Sequence, residues 1–306
     1  LLSFQLKILG SNSATPAFGR HPTSQLLTVG SYYFLIDCGE GCQMQLSRYR
    51  ARTSRISHIF ISHLHGDHFF GLIGLLNTLS LVGRKNLLTL YGPPGLDDIL
   101  TVHFRASQTV LSFPVQFVEL QTTQPDMIYE DAQLTISAFP VQHRIACWGF
   151  LFREKPKSRR INKYVMPANL SVENILALKN GEDITNEEGS TLHRNEELTL
   201  PPRKSRSYAY CADTRYFDTL AEWVEGVDLL YHETTFMDHE RGLAEQRYHS
   251  TTLQAASIAK KAKVDRLLIG HFSSRYRNLD PLLEEAQTVF PNTSLAIEGQ
   301  DFTIPE

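Results

Sequence analysis

ISHLHGDHFFG, residues 61–71, sets His63, His65, Asp67 and His68 within six positions, directly after SHIFIS, a run composed like a buried strand. One histidine beside a turn has a bland reading, a side chain satisfied by its neighbours. Four metal-capable groups at H-x-H-x-D-H spacing exceed what a solvated loop requires. Side chains alternate along extended backbone, so His63 and His65 face the same way. Asp67 and His68 are adjacent and are expected to point apart, which lets one loop serve two metal ions. Neutral imidazole with carboxylate suits zinc, with manganese or iron as substitutes.

Four residues cannot complete two coordination shells. The chain repeats one arrangement that supplies the rest, a hydrophobic strand closed by a ligand-type side chain. His143 closes ISAFPVQH, Asp213 closes YAYCAD and His271 closes LLIGH. Each alone is weak, but with the cluster they make seven candidates, enough for two three-residue sets and one bridge. Such a site suits hydrolysis. One metal ion lowers the pKa of water from 15.7 to about 7, and two ions roughly 3.5–4 Å apart stabilise both oxygens of an in-line phosphodiester displacement.

The chain of 306 residues can bury a sizeable core as one large domain or two smaller ones. Hydrophobic residues at 42% and charged residues at 21% match a soluble globular protein, and the longest apolar runs fall far short of a membrane span. The opening LLSFQLKILG alternates like a strand and lacks the features of a signal peptide. Four cysteines (Cys38, Cys42, Cys147 and Cys211) spread over this length do not form a disulfide framework, so a reducing cytoplasm is expected. Cys38 and Cys42 read as small buried residues around a glycine turn rather than as a metal pair. A net charge of −3 gives no global footprint of a nucleic-acid binder, so any such role must rest on local basic patches.

Strands are expected at FQLKILG, SQLLTVG, SYYFLIDCG and SHIFIS, then a buried helix over 69–82. The aromatic pair Phe69-Phe70 is read as core rather than as a base-stacking surface. Asp37, at the end of a buried strand, reads as a partner for a ligand histidine. From about residue 153 the composition changes. REKPKSRRINK, 153–163, carries six basic residues and one acidic, and a short helix and an acidic run follow it. Little there could join a core, so 153–200 is read as an insertion projecting from one domain that spans 1–306. After it, SYAYCADT, VDLLYHETT and DRLLIGHF read as strands, with LQAASIAKKAK an amphipathic helix behind the N-cap candidates His249-Ser250-Thr251-Thr252. Strands alternating with helices at both ends suggest a layered α/β protein.

The motif His63, His65, Asp67, His68 resembles the signature of the metallo-β-lactamase superfamily. Over nearly the whole chain the sequence resembles the tRNase Z family. The matching segments are LGSNSATPAFGRHPTS, DCGEGCQMQL (37–46), HRIACWGF, SYAYCADTR, YHETTF with HSTT, and GHFSSRY. The resemblance implies a four-layer αββα sandwich that holds two Zn2+ per subunit, with Mn2+ or Fe2+ as possible substitutes. It implies that His63, His65 and His143 hold one ion, that Asp67, His68 and His271 hold the other, and that Asp213 bridges them. It further makes Asp67 the proton acceptor for the attacking water, and His249 with Glu233 the pair that protonates the leaving oxygen.

The implied substrate is precursor tRNA, cut endonucleolytically to remove the 3′ trailer. The 153–200 insertion would be an arm that grips the tRNA, in a homodimer where one subunit's arm serves the other's site. Residues expected to touch RNA are Lys157, Arg159 and Arg160 of the basic stretch, and Lys179 and Gly181 of the K-x-G segment. Arg203, Lys204 and Arg206 join them from Pro201–Arg206, where arginine and serine replace the lysine and glycine of the family's P-x-K-x-G-R. Phosphate contacts by such side chains are independent of base sequence and sensitive to salt. Two other readings stay open at this point. One is a broader phosphodiesterase or 3′ exoribonuclease on the same dinuclear site. The other is an RNA-binding protein with structural metals, although such sites are closed and tetrahedral and would not need Asp67 and His249.

Overall fold

Alternation divides the side chains of the first strands between two cores. Phe34, Ile36 and Phe60 pack toward a second sheet, whereas Leu35, Ile59 and Ile61 pack under helices. The computed structural model describes residues 3–306. Leu1 and Leu2, the first positions of the expected opening strand, lie outside the described residues. Strands β1 (Phe4–Gly10), β2 (Ser24–Val29), β3 (Tyr32–Cys38), β4 (Ile56–Phe60), β5 (Leu88–Gly92) and β6 (Val115–Glu119) belong to the first sheet. Strands β7 (Asp126–Glu130), β8 (Leu134–Pro140) and β9 (Trp148–Glu154) lead into the second. The short strands β10 (Arg160–Ile161), β11 (Ile184–Thr185), β12 (Thr191–His193) and β13 (Thr199–Leu200) lie in the insertion. The second sheet resumes with β14 (Ser207–Cys211), β15 (Leu229–Glu233), β16 (Arg266–Gly270) and β17 (Thr293–Leu295), and β18 (Asp301–Thr303) returns to the first.

Each main sheet has seven strands, in the orders β18-β1-β2-β3-β4-β5-β6 and β17-β16-β15-β14-β9-β8-β7. Helices α1 (Cys42–Arg48), α2 (Gly66–Phe69), α3 (Leu72–Leu81) and α4 (Leu96–Ala106) follow first-sheet strands, and α1, α3 and α4 share its outer core. In the insertion are α5 (Val172–Asn180) and α6 (Asn195–Leu198). After β14 come α7 (Leu220–Trp223), α8 (Arg241–Arg247), α9 (Thr252–Lys261) and α10 (Asp280–Gln287), of which α9 and α10 pack through Ala256, Ile258, Leu282 and Ala286. The layers run αββα, as the fold reading expected.

Pairing is parallel through β3, β4, β5 and β6, and through β14, β15, β16 and β17. Open sheets of this kind bind ligands outside the carboxyl ends of their parallel strands. Here Asp37 is the penultimate residue of β3, His63 follows β4, Asp213 follows β14, Glu233 ends β15 and His271 follows β16. Two sheets thus aim their strand ends at one place.

The helix expected over 69–82 is broken at Phe70-Gly71 into α2 and α3. Gly71 donates its N–H to the Cys38 carbonyl at 2.9 Å, and a Cβ there would lie 2.2 Å from the Gly39 carbonyl oxygen. That close approach docks the histidine loop on the end of β3. The N-cap of α9 is Thr251, in a reciprocal capping box with Gln254. The insertion does have a core of its own, contrary to expectation. Leu178, Ile184 and Leu198 are buried together with support from Ile161 and Leu170.

Candidate dinuclear metal site

Three imidazole nitrogens and one carboxylate oxygen converge in the first ligand set. His63 Nε2 lies 3.0 Å from His65 Nδ1, which lies 3.1 Å from His143 Nε2. Asp213 Oδ2 is 3.6 Å from His63 Nε2 and 4.0 Å from His143 Nε2. In the second set, His271 Nε2 is 3.3 Å from His68 Nε2 and 3.4 Å from Asp67 Oδ2. Asp213 Oδ1 lies 3.3 Å from His68 Nε2 and 3.1 Å from His271 Nε2. Asp213 therefore turns one oxygen to each set, the geometry of a bridge. Asp67 and His68, expected to diverge, converge on the second set with 3.6 Å between Oδ2 and Nε2. They open the helical turn α2 instead of continuing an extended loop, so the strand alternation rule does not govern them.

The electrostatics fit cations. Burial holds His63, His65 and His143 below the ordinary imidazole range, His65 down to about 4, which leaves neutral rings with lone pairs to donate. Burial alone would raise Asp67 and Asp213, but the surrounding imidazoles outweigh it and keep both ionised. Burial also opposes charge on His68, yet Asp213, Asp67 and Asp37 raise it well above the usual value. The carboxylates thus draw positive charge into the site. Asp213 Oδ1 is buried and faces the ring nitrogens of His68 and His271 at 3.3 and 3.1 Å, a set of inward-turned donor atoms of the kind a divalent cation takes. These residues fit two divalent cations.

Outer contacts orient the ligands. Asp37 Oδ2 sits 2.7 Å from His68 Nδ1 and accepts from Ser62 Oγ at 2.9 Å, and the Tyr210 hydroxyl donates to it as well. The expected role of Asp37 beside a ligand histidine is present. His143 Nδ1 donates to the Tyr248 carbonyl at 3.0 Å, and His271 Nδ1 meets Thr235 Oγ1 at 2.9 Å. The Ala14 N–H donates to Asp67 Oδ2 at 2.7 Å. Beside the second set, His249 Nδ1 lies 2.8 Å from Glu233 Oε1. Glu233 is fully buried and also accepts from the N–H groups of Thr214, Thr235 and Ser250. Burial disfavours charge on His249, but Glu233 prevails and pushes it up to about 9.

An open cleft of about 510 Å³ exposes the site, lined by Ser13, Thr15, Glu40, Phe70, Arg144 and Arg247 beside the ligands. Arg144 reaches His65 Nε2 at 2.9 Å. Both arginines escaped the sequence reading, although Arg144 follows a ligand directly and Arg247 precedes His249 by two residues. Phe69 is buried, but Phe70 is 65% exposed in the cleft, so the reading of both as core holds for Phe69 only.

The eight residues expected to touch RNA lie elsewhere. None lines this cleft. Lys157 pairs with Glu154 at 2.8 Å and with Glu306 at 3.0 Å, and Arg203 reaches Glu306 at 2.6 Å. Lys204 bridges Asp228 and Asp265, and Arg206 is buried against Glu154 at 2.6 Å. Arg159 donates to Thr199 Oγ1, Arg160 to the Pro201 carbonyl. The Lys179 carbonyl accepts from the Arg159 N–H, and Gly181 caps α5 in the left-handed region at φ 93°. These contacts build the root of the insertion. Arg206 precedes β14 and Asp213 follows it, so the strand's length, roughly 16 Å, separates that root from the metal site.

The αββα layers and the paired ligand sets define the class, a hydrolase of the metallo-β-lactamase fold. A solved structure of the metallo-beta-lactamase fold protein YhfI from Bacillus subtilis matches with a TM-score of 0.69 at 22% identity, covering 98% of this chain and 99% of that one. The short form of human tRNase Z matches with a TM-score of 0.73 at 28% identity, over 99% of this chain and 100% of that one. A curated ribonuclease Z from Cytophaga hutchinsonii is 48% identical over 100% of this chain and 97% of its own length. The family model for the anti-Pycsar protein Apyc1 matches residues 4–155. The chain belongs to the ribonuclease Z family.

Proposed function

We infer that this chain is a metal-dependent endoribonuclease that removes the 3′ trailer from precursor tRNA and leaves a 3′-hydroxyl. The observation that carries the reading is the placement of Asp213 between two ligand sets, with the charged His249–Glu233 pair beside them, in a chain 48% identical to a ribonuclease Z. His63, His65 and His143 would hold one cation, Asp67, His68 and His271 the other, with Asp213 shared. Five imidazoles and two carboxylates suit zinc, with manganese or iron as substitutes. Two such cations would acidify water and offset the charge that builds on the phosphodiester.

The chain's own groups move the protons. Asp67, oriented by the Ala14 N–H, accepts one from the attacking water. His249, held charged by Glu233, gives one to the departing ribose 3′-oxygen. Glu233 orients the imidazole and stabilises its charge.

The domain reading is one catalytic domain with residues 153–200 as an RNA-gripping arm. Because the arm's root lies at the far end of β14 from the cleft, an arm serving a second subunit's cleft in a homodimer is the arrangement proposed. Four free cysteines accord with a cytoplasmic setting, and no helix among the described residues is long and apolar enough to cross a membrane.

The test is incubation of metal-loaded protein with end-labelled precursor tRNA carrying a 3′ trailer, mapped at nucleotide resolution. A single metal-dependent cut at the discriminator base or just after CCA is expected. Absence of any cut, with brisk hydrolysis of a small phosphodiester, would overturn the substrate and leave a broader phosphodiesterase.

A further inference from the structure

Phe70 is an aromatic ring left 65% exposed on the wall of the cleft, two residues after the ligand candidate His68. Its neighbour Phe69 is buried in the core under the first sheet. A flexible apolar side chain would ordinarily fold away from water, but this ring is held in place. One side lies on the backbone of Gly66, where an added Cβ would sit 2.1 Å from Phe70 Cε2 and 2.4 Å from Cζ. Phe69 meets the ring at 5.1 Å between centroids and 63° between planes. Gly66 stands between His65 and Asp67, so the glycine seats the ring directly on the metal-ligand loop.

The cleft around the ring sets two arginines and an aromatic face beside the ligand sets, with Glu40 on the same lining. Arg144 and Arg247 line it together with Phe70, and its floor carries the two ligand sets. Unpaired RNA ends are recognised by stacking on aromatic rings while cationic groups take the phosphates, and every base offers a π-face.

We propose that Phe70 is the base-stacking residue of the cleavage cleft. Its open face carries the base of a nucleotide adjoining the scissile phosphate, and Arg144 and Arg247 take the backbone charge on the same lining. The proposal rests on the ribonuclease reading and names how that site holds its substrate. Stacking of this kind is indifferent to which base is present, so Phe70 sets geometry without imposing sequence preference.

The test is a cycle of variants and substrates. Wild type, Phe70→Ala, Phe70→Leu and Phe70→Tyr, each checked for metal content and melting temperature, are assayed for kcat/KM on precursor tRNA. The substrate carries either its normal base or an abasic site, on the 5′ or the 3′ side of the cut. Phe70→Ala is expected to lose roughly 5- to 150-fold on the normal substrate. An abasic site on one side should cost wild type a similar factor and cost Phe70→Ala nothing further. Phe70→Tyr should behave like wild type. Phe70→Leu, which keeps bulk without a π-face, should behave like Phe70→Ala. Additive penalties on both sides of the cut, or a Phe70→Leu enzyme as sensitive to the abasic site as wild type, would overturn the stacking role while leaving the ribonuclease reading standing. A wild type that does not cut unmodified precursor would overturn that reading and the stacking with it.

Discussion

At the scale of single residues, three side chains around the metal site sit in a backbone region that non-glycine residues seldom adopt. Asp37 has φ 53°, Tyr248 φ 60° and His271 φ 60°. Each conformation turns the chain at a point where the site needs an atom. Asp37 brings both carboxylate oxygens to Ser62 and His68, Tyr248 offers its carbonyl to His143, and His271 reaches Asp213 with one nitrogen and Thr235 with the other. Such strain persists because the surrounding contacts over-determine it. Asp67 combines a ligand position with the proposed acceptance of a proton. Asp67→Ala should therefore lower kcat on precursor tRNA by roughly 10³-fold or more, while the Kd for RNA, measured by fluorescence anisotropy, changes little. Gly66→Ala belongs to the same scale. The added methyl meets the far end of the Phe70 side chain, which can swing away, so the protein should fold and bind metal normally. Its kcat/KM should fall by the same roughly 5- to 150-fold expected for losing the stacking face.

Among the secondary-structure elements, the parallel strands do the positioning, because their carboxyl ends from two sheets meet. The opposite ends of β9 and β14 serve another purpose, anchoring the insertion. There Glu154, last residue of β9, receives the Arg206 backbone N–H at 2.9 Å and its guanidinium at 2.6 and 3.0 Å, just before β14 begins. Burial alone would raise Glu154, but the hydrogen bonds from Arg206 and Lys157 outweigh it and hold the carboxyl below its ordinary value of 4.5. A carboxyl lowered by folding contributes stability above its unfolded pKa, and that contribution is lost as pH falls through the folded value. Arg206→Met leaves a buried carboxylate poorly compensated and should cost about 3 kcal/mol in urea denaturation at pH 7. The deficit against wild type should shrink as the pH is lowered below 4.5, because protonating Glu154 removes the charge that lacks its partner.

For the molecule as a whole, buried carboxylates and imidazoles converge on one point between two sheets, so the folded state without cations carries unmet electrostatic demand. Chelation of the metals should lower the melting temperature. If the free metal stands at about 100 times its Kd, binding stabilises by about 2.7 kcal/mol, and the drop should be roughly 5 °C by calorimetry. Removing the insertion tests the other global claim. A chain in which a short glycine linker replaces 163–197 keeps β10, β13 and the ion pairs of the root. It should hydrolyse a small phosphodiester at an undiminished rate while losing cleavage of precursor tRNA. Retention of both activities would refute the arm.

How much of this could be read from the sequence depends on where each determinant lies along the chain. Local pattern was enough for most strands, because alternation reports which side chains are buried. The H-x-H-x-D-H run was legible because metal chemistry demands rare residue types in close spacing, and the strand-end positions of His143, Asp213 and His271 followed one repeated pattern. The break at Gly71, by contrast, comes from an approach to Gly39 across 32 positions, and it turns a long helical pattern into two helices. The basic residues of 157–206 looked like an RNA surface as a string of charges. The fold pairs Lys157, Arg203, Lys204 and Arg206 with Glu154, Asp228, Asp265 and Glu306, partners up to 149 positions away. Phe69 and Phe70 are the same residue type side by side, and only packing against Gly66 and the first sheet decides which is core and which faces the cleft. The sequence by itself determined a layered α/β protein and seven candidate ligands, since those rest on residue chemistry and short-range periodicity, while its resemblance to tRNase Z supplied the four-layer arrangement and the family. The tertiary structure alone decided which acidic side chains Lys157, Arg203, Lys204 and Arg206 meet, and that an aromatic ring lies open beside the metal loop, because each depends on groups distant in sequence being brought within a few ångströms.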